Sequence, residues 1–219
     1  THLLLADELN RTPPKTQAAL LEAMQERTVS YAGTTYALPA PFFVLATQNP
    51  IEQAGTYPLP EAQLDRFLLH VLVDYPSEDE ERQILEQTTG GATDAVPKVM
   101  DADAVIALQA AVRQVHVSPD VLAWITRLVR ASRPGDGAPA AINQWVKWGA
   151  GPRAGQSLVL AAKARALLQG RFAATREDVQ ALAAPVMRHR LLLSFAAEAE
   201  QKRADNVVAA LLQAVPFPG

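Results

Sequence analysis

Apolar runs alternate with helical spacing over the first third of the chain, and helical spacing alone follows. "HLLLAD" (2–7) is apolar without alternation and predicts a fully buried strand. "PPKTQAALLEAMQE" (13–26) predicts a helix, with Thr12 as N-cap, Pro13 in its first turn, and Ala18, Leu21 and Met24 along one face. "RTVSYAGTTYAL" (27–38) alternates and predicts a β-hairpin, Val29 and Tyr31 facing Tyr36 and Leu38 across Ala32-Gly33-Thr34. "FFVLATQNP" (42–50) predicts a second buried strand, stopped by Pro50. A short helix at "EAQLDRF" (61–67) and a third apolar strand at "LLHVLVDYP" (68–76) complete this part. Strands interleaved with helices in this way predict an α/β layer.

Past residue 76 every period is helical. "SEDEERQILEQTT" (77–89) starts with Ser77 as N-cap and four acids in its first turn, where the helix dipole favours them. Gly-Gly and Pro mark a linker at about 90–97. Helices are predicted at 102–115, 119–132, 153–169, 176–188 and 204–214. Ser118-Pro119 and Thr175 with Asp178 supply start signals, and Val208, Leu211, Leu212 and Val215 share a face of the last helix. The Gly- and Pro-rich stretch 133–152 reads as a loop. The division is therefore 1–90, a piece of an α/β sheet, and 101–219, an all-α domain.

Composition narrows the classes. With 219 residues, 49% hydrophobic and 20% charged, the chain is a globular one of one large domain or two small ones. A net charge of −3 gives no reason to expect nucleic acid or an anionic membrane as the main partner. No stretch approaches the roughly 18 apolar residues of a membrane span, and no signal peptide is visible. The absence of cysteine excludes disulfides and thiolate metal sites and fits a reducing, cytoplasmic location. His2, His70, His116 and His189 are too scattered to suggest a metal cluster.

Candidate chemistry sits at element ends. Asp7-Glu8 closes the first strand, where an Asp can hold Mg²⁺ and a neighbouring Glu can polarise a water; two solvated acids or a helix cap would look the same. Thr47-Gln48-Asn49 closes the second strand, so Asn49 could orient a water or touch a terminal phosphate, or simply form a turn with Pro50. Arg66 could be an exposed ion pair with Asp65 or Glu61, or a finger reaching a neighbouring subunit's nucleotide. Arg153 begins a helix, where the dipole disfavours a cation, which hints at a use or at a fraying end. Arg188-His189-Arg190 is a small basic cluster, read as solvated or interfacial rather than nucleic-acid reading.

The order of these signals resembles the MoxR family of AAA+ ATPases. The stretches that carry the likeness are "LLLADELNRTPPKTQAALLEAMQERTVSYAG", "PFFVLATQNPIEQAGTYPLPEAQLDRFLL", "GPRAGQSLVLAAKARALLQGR" and "DVQALAAPVMRHRL". The resemblance implies the C-terminal part of a P-loop AAA+ parallel sheet followed by a helical lid. It implies Asp7 and Glu8 as the Walker B pair, Asp7 holding Mg²⁺ and Glu8 acting as the base. Asn49 would be sensor 1, Arg66 the arginine finger and Arg153 sensor 2, all contacting ATP, with the hairpin 28–38 as the insertion before sensor 1.

One departure stands against these matches. The chain contains no GxxxxGK[ST] and no Gly-Lys dipeptide, so the loop that cradles phosphates is not in it. The family carries that loop on a strand upstream of Walker B, between the strands matching 42–47 and 68–73. The first residue, Thr1, is not Met. The expectation is an N-terminally cut piece of a longer protein, without ATPase activity by itself. The longer protein is expected to hydrolyse ATP as a homo-oligomeric ring, a hexamer, and to remodel or mature protein complexes in a chaperone-like way, with a von Willebrand factor A-domain protein as a client. The alternatives are a non-enzymatic helical interaction module, and a DNA-dependent motor suggested by the helix pair at 102–132.

Overall fold

The computed structural model describes residues 1–49, 55–90 and 96–218, so the predicted strand stop at Pro50 and most of the predicted linker at 90–97 lie outside the described residues. Strand β1 (Leu3–Ala6) leads through a single 3-10 turn, Leu9–Arg11, into helix α1 (Pro14–Glu26). Thr12 does not cap α1. Its hydroxyl turns back to the Leu9 carbonyl at 2.8 Å, and Pro13 takes the N-cap position without a side-chain bond. The buried face of α1 is Gln17, Leu21 and Ala23, while Ala18 is exposed. Gln17 is tolerated inside because its amide donates to the carbonyls of Leu9 and Tyr57 at 3.2 and 3.0 Å.

The hairpin forms as predicted in kind but with a tighter turn. Strands β2 (Thr28–Tyr31) and β3 (Thr34–Ala37) join through Ala32 and Gly33, both at positive φ (50° and 80°), the conformation a two-residue turn demands. Val29 therefore faces Tyr36, and Tyr31 faces Thr34 instead of a residue further along. Strand β4 (Phe43–Ala46) then pairs in parallel with β1, Leu3 against Phe43 through Ala6 against Ala46.

These two strands are not fully buried. Ala6 and Ala46 meet a small core of Leu9, Leu21 and Leu59, whereas Leu3, Leu5, Phe43 and Leu45 are 47–61% exposed on the other face. Side chains alternate across a strand, and only one face of this two-stranded sheet has anything packed on it among the described residues. The predicted third strand, 68–76, is not a strand. An apolar run becomes a strand only with a ladder to join, and among the described residues this one has none. Helix α2 (Glu61–Leu64) precedes it, and α3 (Glu78–Thr89) follows with the predicted Ser77 N-cap, which Glu80 completes into a capping box.

The second half holds the main core. Helices α4 (Ala102–Gln114), α5 (Pro119–Ala131), α7 (Pro152–Leu168), α8 (Arg176–Met187) and α10 (Ala204–Ala214) match the predicted spans closely. The stretch expected to be a loop, 133–152, instead contains α6 (Ala140–Trp145) and β6 (Val146–Trp148); Ile142 and Val146 are buried, and tertiary burial outweighs the breaker residues around them. Short strands β5 (His116–Val117) and β7 (Ala173–Ala174) run parallel, β6 pairs antiparallel with β8 (Leu192–Leu193), and a small helix α9 (Phe195–Ala199) was not signalled. Trp124, Leu128, Ile142, Leu158, Met187 and Leu211 centre the core. Small residues of α7 (Ala154, Ser157, Ala161, Ala162) let its neighbours approach closely. The Trp124 indole donates to the Val215 carbonyl at 2.7 Å and meets Phe217 edge-on, which pins the C-terminal segment.

Candidate functional site

Asp7, Glu8 and Asn49 come together at the carboxyl ends of the parallel pair β1–β4, the side of an open α/β sheet on which ligands bind. Thr47 organises the two acids. Its hydroxyl donates to Asp7 Oδ1 at 2.6 Å and accepts the Glu8 backbone N–H at 2.8 Å, while its own carbonyl accepts from Leu9 N–H at 2.9 Å. Glu8 is thereby held in the left-handed region (φ 46°, ψ 50°), which a non-glycine residue occupies only when its surroundings fix it. Its carboxylate pairs with Arg11 at 2.8 Å. Asn10 donates to the Asn49 carbonyl at 3.3 Å, closing the ends of the two strand exits together.

Asp7 is exposed, and its Oδ2 accepts no hydrogen bond among the described residues. That suits Mg²⁺, which takes one or two carboxylates and leaves its other positions to water and phosphate oxygens. No group of three or more His, Asp or Glu forms an all-protein metal cage among the described residues.

Arg66 and Arg153 lie at a second locus. Arg66 follows α2, is exposed, and makes no ion pair among the described residues. The alternative expectation of a pair with Asp65 or Glu61 is not met, because the Asp65 carboxylate is occupied from the helical half. Arg153 Nη1 donates to Asp65 Oδ2 at 2.9 Å, and Arg190 Nε donates to Oδ1 at 2.8 Å. Arg153 is the second residue of α7, and the Asp65 carboxylate offsets a cation that the positive helix end disfavours.

The basic cluster is interfacial and not solvated. The Arg190 side chain is 1% exposed and Arg188 is 12%. Arg188 holds Asp205 through Nε and Nη2 at 2.8 and 2.9 Å and the His70 carbonyl through Nη1 at 2.7 Å. His189 Nε2 donates to the Phe67 carbonyl at 3.1 Å, and the His70 N–H donates back to Pro185 at 2.8 Å. Thr47, Asp65, Arg188 and Arg190 were not singled out as site residues. The adjacency of "LDRF" and "MRHR" chemistry appears only once 120 or so residues of chain have folded back.

The first 69 residues match the model of the ATPase family associated with various cellular activities (AAA), and residues 139–211 match that of the AAA lid domain. The chain is 41% identical over 99% of its length to the chaperone MoxR1 of Mycobacterium tuberculosis, and 35% identical over 97% to the protein MoxR of Paracoccus denitrificans. The chain belongs to the MoxR family of AAA ATPases. A crystal structure of a candidate ATPase from Cytophaga hutchinsonii superposes over the whole chain with a TM-score of 0.93 at 36% identity, covering 67% of that protein. The chain spans 58% of the Mycobacterium relative and 66% of the Paracoccus one. The two family matches bracket the features just described: Asp7, Glu8, Asn49 and Arg66 fall in the AAA match, Arg153 and Arg190 in the lid match. Among the described residues no helix is long and apolar enough to cross a membrane.

Proposed function

We propose that the whole protein carrying this chain binds ATP with Mg²⁺, hydrolyses it as a homo-oligomeric ring of six subunits, and uses the cycle to remodel protein complexes, among them a von Willebrand factor A-domain client, in the cytoplasm. The observation that carries the reading is the Thr47 clamp on Asp7 and Glu8, set at the carboxyl ends of parallel strands. Mg²⁺, when bound, would draw charge off the phosphates; Asp7 is the residue that would hold it. Glu8 takes a proton from the water whose oxygen attacks the terminal phosphorus, and the bond to the bridging oxygen of ADP breaks. Asn49 orients that water. The residues of 1–90 thus belong to the ATPase core and those of 101–219 to the lid.

Arg66 supplies positive charge to the transferring phosphoryl group of the adjacent subunit. Arg153 rests on Asp65, the residue beside Arg66, which supports a shared role: both guanidinium groups serve the same nucleotide, the neighbour's. The chain alone holds no Gly-rich phosphate loop, and alone it is expected to turn over no ATP.

The test is on the whole protein. Glu8→Gln should leave ATP binding in place and abolish hydrolysis; unaltered turnover removes Glu8 from the mechanism. Rings mixed from Glu8→Gln and Arg66→Ala subunits should regain turnover that neither has alone, because base and finger then meet at some interfaces. Assembled mixed rings that stay silent would count against the trans assignment.

A further inference from the structure

Arg190 directs the five N–H groups of its buried guanidinium at six acceptors, and four of these lie on the segment that carries Arg66. They are Asp65 Oδ1 at 2.8 Å, the Asp65 carbonyl at 3.0 Å, the Phe67 carbonyl at 2.7 Å and the Leu68 carbonyl at 3.3 Å. The other two, the Val186 carbonyl of α8 and Ser157 Oγ of α7 at 3.1 Å, belong to the helical half. One planar fork therefore fastens the backbone on both sides of Arg66 to two helices. His189 and Arg188 extend the grip to Phe67 and His70. Arg66 itself takes no part, so its guanidinium stays available while its backbone is fixed.

From this geometry we infer that Arg190 is the positioning residue of Arg66: it makes residues 65–70 a rigid extension of the helical half, so that any displacement of that half is carried to the Arg66 guanidinium. Asp65 completes the device. Its carboxylate holds one buried arginine that cannot leave and one half-exposed arginine that can, since the Arg153 side chain is 43% exposed. A polyphosphate, with more charge than a single carboxylate, draws Arg153 off Asp65 while Arg190 keeps the segment in place. Lysine cannot substitute for Arg190, because a single ammonium with three donors does not reach acceptors spread over residues 65–68, Val186 and Ser157.

The inference rests on the proposed role of Arg66, and the test separates the two. In the whole protein, Arg190→Lys should lower kcat about 10- to 100-fold, the cost of misplacing a catalytic group by around an ångström. ATP affinity should stay within about two-fold, since the phosphate-binding groups of the same subunit are untouched. Mixing with Glu8→Gln subunits should restore turnover, as for Arg66→Ala, because those subunits bring a well-placed finger. A merely structural role would weaken affinity as well and give no recovery. Should Arg190→Lys fail to assemble, Asp65→Ala, which takes away the carboxylate that Arg190 Nε holds, should lower kcat in the same direction with ATP affinity within about two-fold, and recover on mixing. Turnover near wild type in Arg190→Lys, or a loss that mixing does not restore while it restores Arg66→Ala, overturns the positioning role. Unchanged turnover in Arg66→Ala overturns the finger assignment, and the inference with it.

Discussion

Protonation of His189 should loosen the joint between residues 65–70 and the helical half. The Phe67 carbonyl can only accept, so His189 must carry its proton on Nε2, and Nδ1 is left bare. That Nδ1 is buried and has no hydrogen-bond partner among the described residues. Burial first, and then the neighbouring Arg190, push the imidazole down to about 4 from 6.5, against the Phe67 carbonyl, with His70 lowering it and Asp65 raising it less. His70, edge-on to it at 5.8 Å, is lowered too, by burial and Arg188. Between pH 6.5 and 4 the unfolded chain binds a proton at His189 that the folded chain refuses. Stability therefore falls as pH drops through that window, and the contribution is absent above it. A shift of this size corresponds to about 3 kcal/mol at most, and partial access of water to the ring trims it to about 2–3 kcal/mol at pH 4. Urea unfolding followed by circular dichroism, on the chain and on His189→Gln, would measure it. Glutamine can donate to Phe67 but cannot titrate, so the wild type should lose about 2–3 kcal/mol relative to the variant between pH 7 and pH 4. A difference constant to within about 0.5 kcal/mol across that range would refute the reasoning.

Three further outcomes follow from the same structure. Asp178 is fully buried and accepts from Arg171, Arg165 and Thr175; burial alone would raise it, but these partners hold its carboxyl well below the usual range. Asp178→Asn should cost about 2–4 kcal/mol in denaturant unfolding, less than a wholly buried pair because Arg165 and Arg171 still reach water. A Cβ at Gly149 would run into the Ser132 carbonyl and stand 2.6 Å from the Arg133 Cα, so Gly149→Ala should destabilise by about 1–3 kcal/mol in the same assay and displace the turn that leads to Arg153. Thr47→Val removes the hydroxyl between Asp7 and Glu8 and should cost about 1 kcal/mol, with a fall in ATP turnover of the whole protein larger than in ATP affinity.

Legibility in the sequence followed the range of the physics involved. Helices such as α5 and α8 announced themselves through local signals, Ser118-Pro119 and Thr175 with Asp178, and the structure starts them there. The hairpin was legible because Ala32-Gly33 sits between alternating strands, though its register awaited the turn geometry. Burial of strands was not legible: "HLLLAD" and "LLHVLVDYP" are apolar in the same way, yet one is a paired strand and the other is not, since pairing depends on a remote partner. Residues 140–148 misled because a Gly- and Pro-rich frame hid a buried Ile142 and Val146. At the candidate site, Asp7, Glu8 and Asn49 stood out by their position at strand ends. Thr47 was legible only as a neighbour of Asn49 and Arg190 only as part of a basic cluster, because a hydroxyl and a guanidinium acquire a role only from the groups they reach across 40 or 125 residues of chain.

The grip of residues 185–190 on 65–70 also bears on what a protease would leave behind. Every described residue from Leu68 to Asp101 is exposed, which makes this stretch the natural place for a first cut. A nick beyond Val71 would sever the chain on the far side of the joint, not through it. The two pieces would then stay associated through Arg188, His189 and Arg190, and would travel as one particle in native gel filtration although they separate on a denaturing gel. Covalent continuity between the halves would then be dispensable, for their attachment is made of side chains meeting a short length of main chain.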